Sequence, residues 1–395
     1  MFAVLTSGRK VLWRVVALFS ILALAACGSI PVTGGGGVGG QRTDPGAPVS
    51  VALLVPRGSG NSGDEELAQS LENAARLAID DLEGVEVDLR VYGTGDDASQ
   101  AEQSALQAIS DGAQIILGPV YAESANAVAV AAAPESVNVL SFSNNTTIAG
   151  GNLWVLGQTF QNTANRLVPY ARDQGKSRFM VVHADDESGE LGNQAIQQAV
   201  SRSGGSVVGT VSHEFSQQGV TSAVPKIVSA ARDGEADAIL MTANSAGALP
   251  LLTQMLPEAG LGPDVAQYIG LSRWDIPAQT LDLPGVQNGW FAVPDPDKTA
   301  AFRSRYEAAN GKAPHPIAGL AYDGIAAIGA LAQGGRRDAL SASSLTQGAG
   351  FEGTGGIFRL RSDGTNERGL AVATIRNKQV VVIDPAPRAF GGAGS

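Results

Sequence analysis

The sequence predicts an α/β protein made of two doubly wound lobes, each built on a central parallel sheet. Three observations carry that expectation. Short apolar runs without alternation, such as Val51-Ala-Leu-Leu-Val55, have the character of strands buried on both faces. Segments of helical period stand between them, the first marked by Leu67, Leu71, Ala74, Ala75, Ala78 and Leu82. The strand–helix alternation runs twice at similar length, once before and once after Trp154.

In chain order, the first series reads as strand 51–55, the helix above with Ser62 and Glu65 as a capping box, and strands 85–91, 115–117 and 137–140. Helices 99–110 and 122–132 separate those strands. The second series reads as helix 163–174, strand 179–182, helix 189–203, strand 206–211, helix 220–232, strand 238–241, helix 246–258 and strand 267–269. Helices 299–310 and 317–331 have no strands of their own, which suggests a return crossing that covers the first lobe. A strand at 356–360 and a hairpin, 370–375 with 379–383 around Asn377-Lys378, close the chain. The domains expected are lobe 1 at 49–157 with 296–345 returning to it, and lobe 2 at 158–295 with roughly 365–384 returning to it.

The ends read differently. Arg9, Lys10 and Arg14 precede an uncharged run from Val15 to Ala26 that is too short to span a bilayer, which needs about 20 apolar residues. A basic start, an apolar stretch and small residues before a cleavage point make residues 1–26 a signal peptide. Leu24-Ala25-Ala26-Cys27 resembles the bacterial lipobox, which implies that Cys27 is acylated and holds the mature chain on a lipid bilayer. Gly28 after that cysteine, where an Asp would imply inner-membrane retention, implies the inner leaflet of the outer membrane. Residues 27–48 are glycine-rich and read as a flexible linker with a coil span of about 25 Å; residues 385–395 read as a disordered tail.

Composition excludes several functions. Cys27 is the only cysteine, so no thiol is left for a disulfide, a zinc site or a nucleophile. The formal charge of −11 becomes −14 once the three signal-peptide cations are removed, and so acidic a body disfavours nucleic acid. Gly58-Ser-Gly-Asn-Ser-Gly63 has the spacing of a dinucleotide loop, but Asp64, Glu65 and Glu66 occupy the helix start where a pyrophosphate would sit. No Gly-x-Ser-x-Gly or H-E-x-x-H pattern occurs, and no cofactor or metal is expected. His183 before Asp185-Asp186-Glu187 is the one arrangement that a hydrolase reading could use, and such a cluster reads more simply as a solvated loop.

In open α/β sheets, ligands sit beyond the carboxyl ends of the strands. Those ends supply Tyr121, Ser141, Ser143, Asn144, Asn145, Ser188, Asn244, Arg273 and Trp274, which form the candidate ligand or partner cleft. They offer neutral donors and acceptors, one cation and aromatic surface, but no activated nucleophile or acid–base pair, so the expectation is a non-enzymatic binder. Ser143 and Asn145 read equally well as turn residues, and Trp274 as a packing anchor.

The order and spacing of Ile116-Leu-Gly-Pro-Val120, Val139-Leu-Ser-Phe-Ser143, Tyr322-Asp-Gly-Ile325 and Gly353-Thr-Gly-Gly356 resemble the type I periplasmic-binding-protein fold of the branched-chain amino-acid receptors. That resemblance implies two lobes joined by a multi-crossing hinge. The positions matching the receptors' amino-acid site are Ala122, Asn144-Asn145 and Ser188-Gly189, which depart from the usual hydroxyl, Ala-Thr pair and aromatic lid. Leu117-Gly-Pro-Val-Tyr-Ala-Glu-Ser124, Phe142-Ser-Asn-Asn145 and Gly289-Trp-Phe-Ala-Val-Pro-Asp-Pro296 resemble the penicillin-binding-protein activators. This second resemblance implies a lipid-anchored regulator of a peptidoglycan synthase, with a bifunctional penicillin-binding protein as partner. The alternative is a receptor that delivers amino acids or related small polar solutes to the permease of an ABC importer.

Overall fold

The computed structural model describes residues 39–390. The signal peptide, Cys27, the linker up to residue 38 and the tail from 391 lie outside the described residues.

Lobe 1 is built on five parallel strands: β1 (Val49–Val55), β2 (Val87–Gly93), β3 (Ile115–Leu117), β4 (Asn138–Ser141) and β5 (Leu153–Val155), in the order β2-β1-β3-β4-β5. Helices α1 (Ser62–Asp80), α2 (Ala98–Ser110) and α3 (Ala122–Ala132) cover its faces. The continuous apolar run of β1 is explained by its neighbours. Val51, Leu53 and Val55 pack with Leu67, Leu71 and Ala74 of α1, whereas Ala52 and Leu54 pack with Ala101, Ala105 and Val128 on the other side. Alternate residues point to opposite faces, so a strand with a core on each side has no polar position.

Lobe 2 follows the same logic. Its strands β6 (Arg178–Ala184), β7 (Ser206–His213), β8 (Ala238–Met241), β9 (Gln267–Gly270) and β10 (Trp290–Val293) are flanked by α4 (Phe160–Asp173), α5 (Glu187–Arg202), α6 (Gln217–Asp233) and α7 (Leu249–Glu258). Phe179, Val181 and Leu240 face α4 and α5; Met180, Val182, Ile239 and Met241 face α6 and α7.

The chain then returns. Helices α8 (Pro296–Asn310) and α9 (Gly319–Gln333) add Tyr306, Ala321, Ile325 and Ile328 to the core around α1 and β1. After the short α10 (Ala342–Leu345), an antiparallel sheet of β11 (Phe351–Gly353), β12 (Gly356–Leu360) and β13 (Asn366–Arg368) contributes Phe351, Phe358 and Leu360 to the same core. Finally β14 (Ala371–Arg376) and β15 (Gln379–Asp384) join lobe 2, giving a seven-stranded sheet in the order β15-β14-β10-β9-β8-β6-β7. In that sheet β14 runs antiparallel to β10 and to β15. The chain therefore passes between the lobes after β5, after β10 and after β13.

Several local expectations are corrected. Asn61, not Ser62, caps α1 by accepting from Gly63 N, and Glu65 reaches back to Gly58 N at 2.6 Å instead of closing a capping box. Strands β5, β10, β11 and β13 were not foreseen. The linker does not run free to Pro48. A Cβ at Gly40 would lie 2.0 Å from Leu340 O, and Thr43 is buried with its N–H and hydroxyl donating to Arg337 O and Arg336 O. The tail is likewise held as far as Phe390: Arg166 donates to Pro385 O, and the Arg359 guanidinium stands 4.6 Å over the Phe390 ring.

Candidate functional site

The carboxyl ends of β3, β4 and β9 face a cavity of about 740 Å³ that both lobes line. Lobe 1 supplies an apolar wall of Val120, Phe142, Phe302, Ile317 and Leu320; lobe 2 supplies Leu271, Arg273 and Ile276. Segments at and beside the crossings add Gly157, Gln158, Thr159, Phe160, Thr354 and Arg368.

The polar turn after β4 is built from its own short side chains. Ser141 is fully buried; its hydroxyl donates to Pro119 O at 2.8 Å and accepts from Ser143 N. Ser143 Oγ in turn accepts from Asn145 N, and Asn145 Oδ1 accepts from the N–H and hydroxyl of Thr147. Ser141 and Asn145 are therefore engaged in holding the turn. Ser143 and Asn144 line the cavity, and Asn144 is exposed and stands outside this relay. A second cavity of about 430 Å³ shares Asn144, Thr159 and Phe160 with the first, and brings Asn145 near Ser188 at the start of α5. Of the candidate residues, Ser143, Asn144 and Arg273 line the first cavity and Asn144, Asn145 and Ser188 the second.

The other candidates stand elsewhere. Tyr121 lies beside the cavity and donates to Asp64 at 2.5 Å; that bond, with burial, pushes its phenol up to about 12. Asn244 is exposed in the turn before α7, its carbonyl accepting from Gly247 N and Leu249 N. Trp274 is 0% exposed and is not a wall of the cleft. Its indole lies in a slot between Gly270 and Gly289, where an added Cβ would come within 2.3 Å of the ring, and stacks on Phe291. His183 is buried with Nδ1 2.8 Å from Ala184 O, while Asp186 caps α5. Among the described residues, no group of three His, Cys, Asp or Glu is placed to hold a metal ion.

Sequence reasoning missed the ion pair on the cavity floor. Asp323 of α9 is buried and meets the largely buried side chain of Arg368 of β13 at 3.1 Å. Asp323 also accepts from Thr354 N and Oγ1, and Arg368 donates to Leu156 O and lies over Phe358. A buried pair persists only when such added hydrogen bonds satisfy it. Nothing local marks the two residues as partners. Arg273 is also balanced, its Nε and Nη2 bound to the Asp275 carboxylate at 2.6 and 2.5 Å.

Two sheet-based lobes that line one cavity beyond the carboxyl ends of their strands have the architecture of a ligand-binding protein. The sequence matches the family described as periplasmic binding protein over residues 48–379, and the chain belongs to that family of non-enzymatic binders. No curated protein matches it. Among solved structures, it is similar to a branched-chain amino acid ABC transporter protein from Rhodospirillum rubrum, at 19% identity and a TM-score of 0.72, covering 85% of this chain and 100% of the other. It is also similar to a solute-binding protein of an ABC transporter from R. palustris in complex with benzoate, at 17% identity and a TM-score of 0.59, covering 88% and 98%. A branched-chain amino acid transporter substrate-binding protein from Streptococcus pneumoniae in complex with isoleucine aligns at 14% identity and a TM-score of 0.59, covering 86% and 100%.

Proposed function

We propose that this chain is an extracytoplasmic solute receptor for an ABC importer, and that its ligand is a small organic acid with an apolar body. The observation that carries the reading is the cavity itself. At about 740 Å³ it falls within the ~300–1,000 Å³ of ordinary ligand pockets, and most of its wall area is apolar. Phe142, Phe302, Ile317 and Leu320 suit the apolar body. Ser143, Asn144 and the Arg273 N–H groups that Asp275 leaves free offer hydrogen bonds to the ligand's polar end. The ligands in two of the similar structures, benzoate and isoleucine, are of this class.

The synthase-regulator reading rests on short segments to which the fold gives local work. Asn145 caps a turn, Gly289 makes room for Trp274, and Asp295 caps α8. The transport proteins among the similar structures favour the importer. Acylation of Cys27 would keep the receptor beside the membrane, in the periplasm.

A thermal-shift panel of branched-chain amino acids, benzoates and polar controls tests the reading. A ligand at 100 times its Kd adds about 2.7 kcal/mol of stability. The expected result is a rise of several degrees with at least one apolar acid, lost in Phe302→Ala. A flat panel, together with stimulation of a penicillin-binding protein by the unliganded chain, would sink the proposal in favour of the synthase reading.

A further inference from the structure

Lobe 2 holds a smaller cavity, of about 210 Å³, that shares no residue with the two described above. It lies between the starts of α6 and α7, where β7 ends on His213 and β8 on Met241. Val220, Ala248 and Leu251 give it an apolar lining, and His213 and Phe215 complete it.

Two features of this cavity are unfavourable as they stand. His213 is only 4% exposed, and its Nε2 is buried without a hydrogen-bond partner among the described residues. Its Nδ1 lies 3.0 Å from Glu214 O. A carbonyl oxygen can only accept, so Nδ1 carries the proton and Nε2 of the neutral ring is a bare acceptor. Such a group is expensive to leave unmade. Phe215, by contrast, is 69% exposed, its ring resting against Gly247 at the mouth of the cavity.

One kind of occupant relieves both. A planar aromatic ring would fill the apolar space and cover Phe215, and an O–H or N–H on that ring would satisfy Nε2. A carboxylate has no proton to give, and an aliphatic ammonium would lose its hydration among Val220, Ala248 and Leu251. The volume also fits, since an apolar cavity of about 150 Å³ accepts benzene. We propose that this cavity is a second binding site, separate from the interlobe cleft, for a single aromatic ring bearing a hydrogen-bond donor, a phenol or an indole. The ring enters past Phe215, whose exposure leaves it free to swing, and docks its donor on His213. The site does not depend on what the cleft binds.

The test is a titration of the full chain, with histidine ¹⁵N labelled, against p-cresol and toluene, which differ by the hydroxyl. p-Cresol is expected to move the His213 Nε2 resonance and to bind roughly three- to tenfold tighter than toluene, the worth of one net hydrogen bond. His213→Phe keeps the volume and should erase the preference. Ala246→Leu, at an exposed position on the rim, leaves the core intact and should weaken both probes by filling the cavity. N-acetyltyrosinamide separates the sources: binding equal to p-cresol means the ring arrives on a peptide, and weaker binding means a free solute. An unmoved His213 resonance, equal affinity for the two probes, or p-cresol binding untouched by Ala246→Leu overturns the proposal.

Discussion

His315 lies on the loop between α8 and α9, half-buried and lining the cleft. Burial lowers its pKa below the usual 6.5, against the pull of Glu66, and its Nδ1 accepts from Ile317 N. Both favour the neutral ring. The unfolded chain therefore binds a proton at higher pH than the folded one does. Stability from this residue is complete above 6.5 and is lost as pH falls through the lower folded value. The urea midpoint should drop between about pH 7.5 and pH 5, and His315→Gln should flatten that part of the profile. A wild-type profile no steeper than the variant's over that interval would refute the assignment. At this scale the sequence was only half legible. Ser143, Asn144 and Arg273 follow strand ends, which a sequence can show, and those ends face the cavity. Trp274 could not be told from a cleft wall, because what decides its place is the two glycines that make its slot, and Gly289 is distant in sequence. Asp323 and Arg368 needed the fold to bring α9 against β13.

Among the elements, the β14–β15 hairpin shows where local chemistry suffices. Asn377 and Lys378 both adopt left-handed φ, at 51° and 63°, as a two-residue turn matched to the strand twist requires. Asn tolerates that region; Lys does not, and the conformation costs it about 1–2 kcal/mol. Its exposed pair with Asp282 adds little in return. Lys378→Gly should therefore raise the unfolding free energy by about 0.5–1 kcal/mol, after the glycine's own entropy loss is counted. A lower urea midpoint for the variant would contradict this account of the turn. The longer helices and the buried strands were legible for the same reason as the hairpin, since each carries its period or its turn residues within itself. Strands β5, β10, β11 and β13 are three or four residues long and show no period of their own; β5 forms on β4, β11 and β13 on the adjacent β12, and only β10 is paired with a strand far along the chain, β14. Helices α4, α6 and α7 carry Pro169, Pro225 and Pro257 within them, against local preference.

For the whole molecule, the segment before β1 decides how the body is presented. Residues 40–48 read as linker because glycine and proline suggest coil, yet they are fastened at the amino-terminal ends of the lobe 1 strands. Thr43 bonds to Arg336 and Arg337, Gln41 to Glu135, and Gln114 donates to Arg42 O at 2.6 Å. The cleft opens at the opposite, carboxyl-terminal ends of those strands. Residues 40–48 therefore lie away from the cleft and leave it uncovered. The fastening also has a measurable worth. Each of these four hydrogen bonds contributes a net ~0.5–1.5 kcal/mol, and Thr43 is buried as well. A chain beginning at residue 39 should therefore unfold like the full chain, whereas one beginning at residue 49 should unfold at a lower urea midpoint while keeping its affinity for any ligand of the cleft. Equal urea midpoints for the two truncations would mean that the segment is carried passively. A loss of ligand affinity in the shorter chain would mean that the pole and the cleft are coupled.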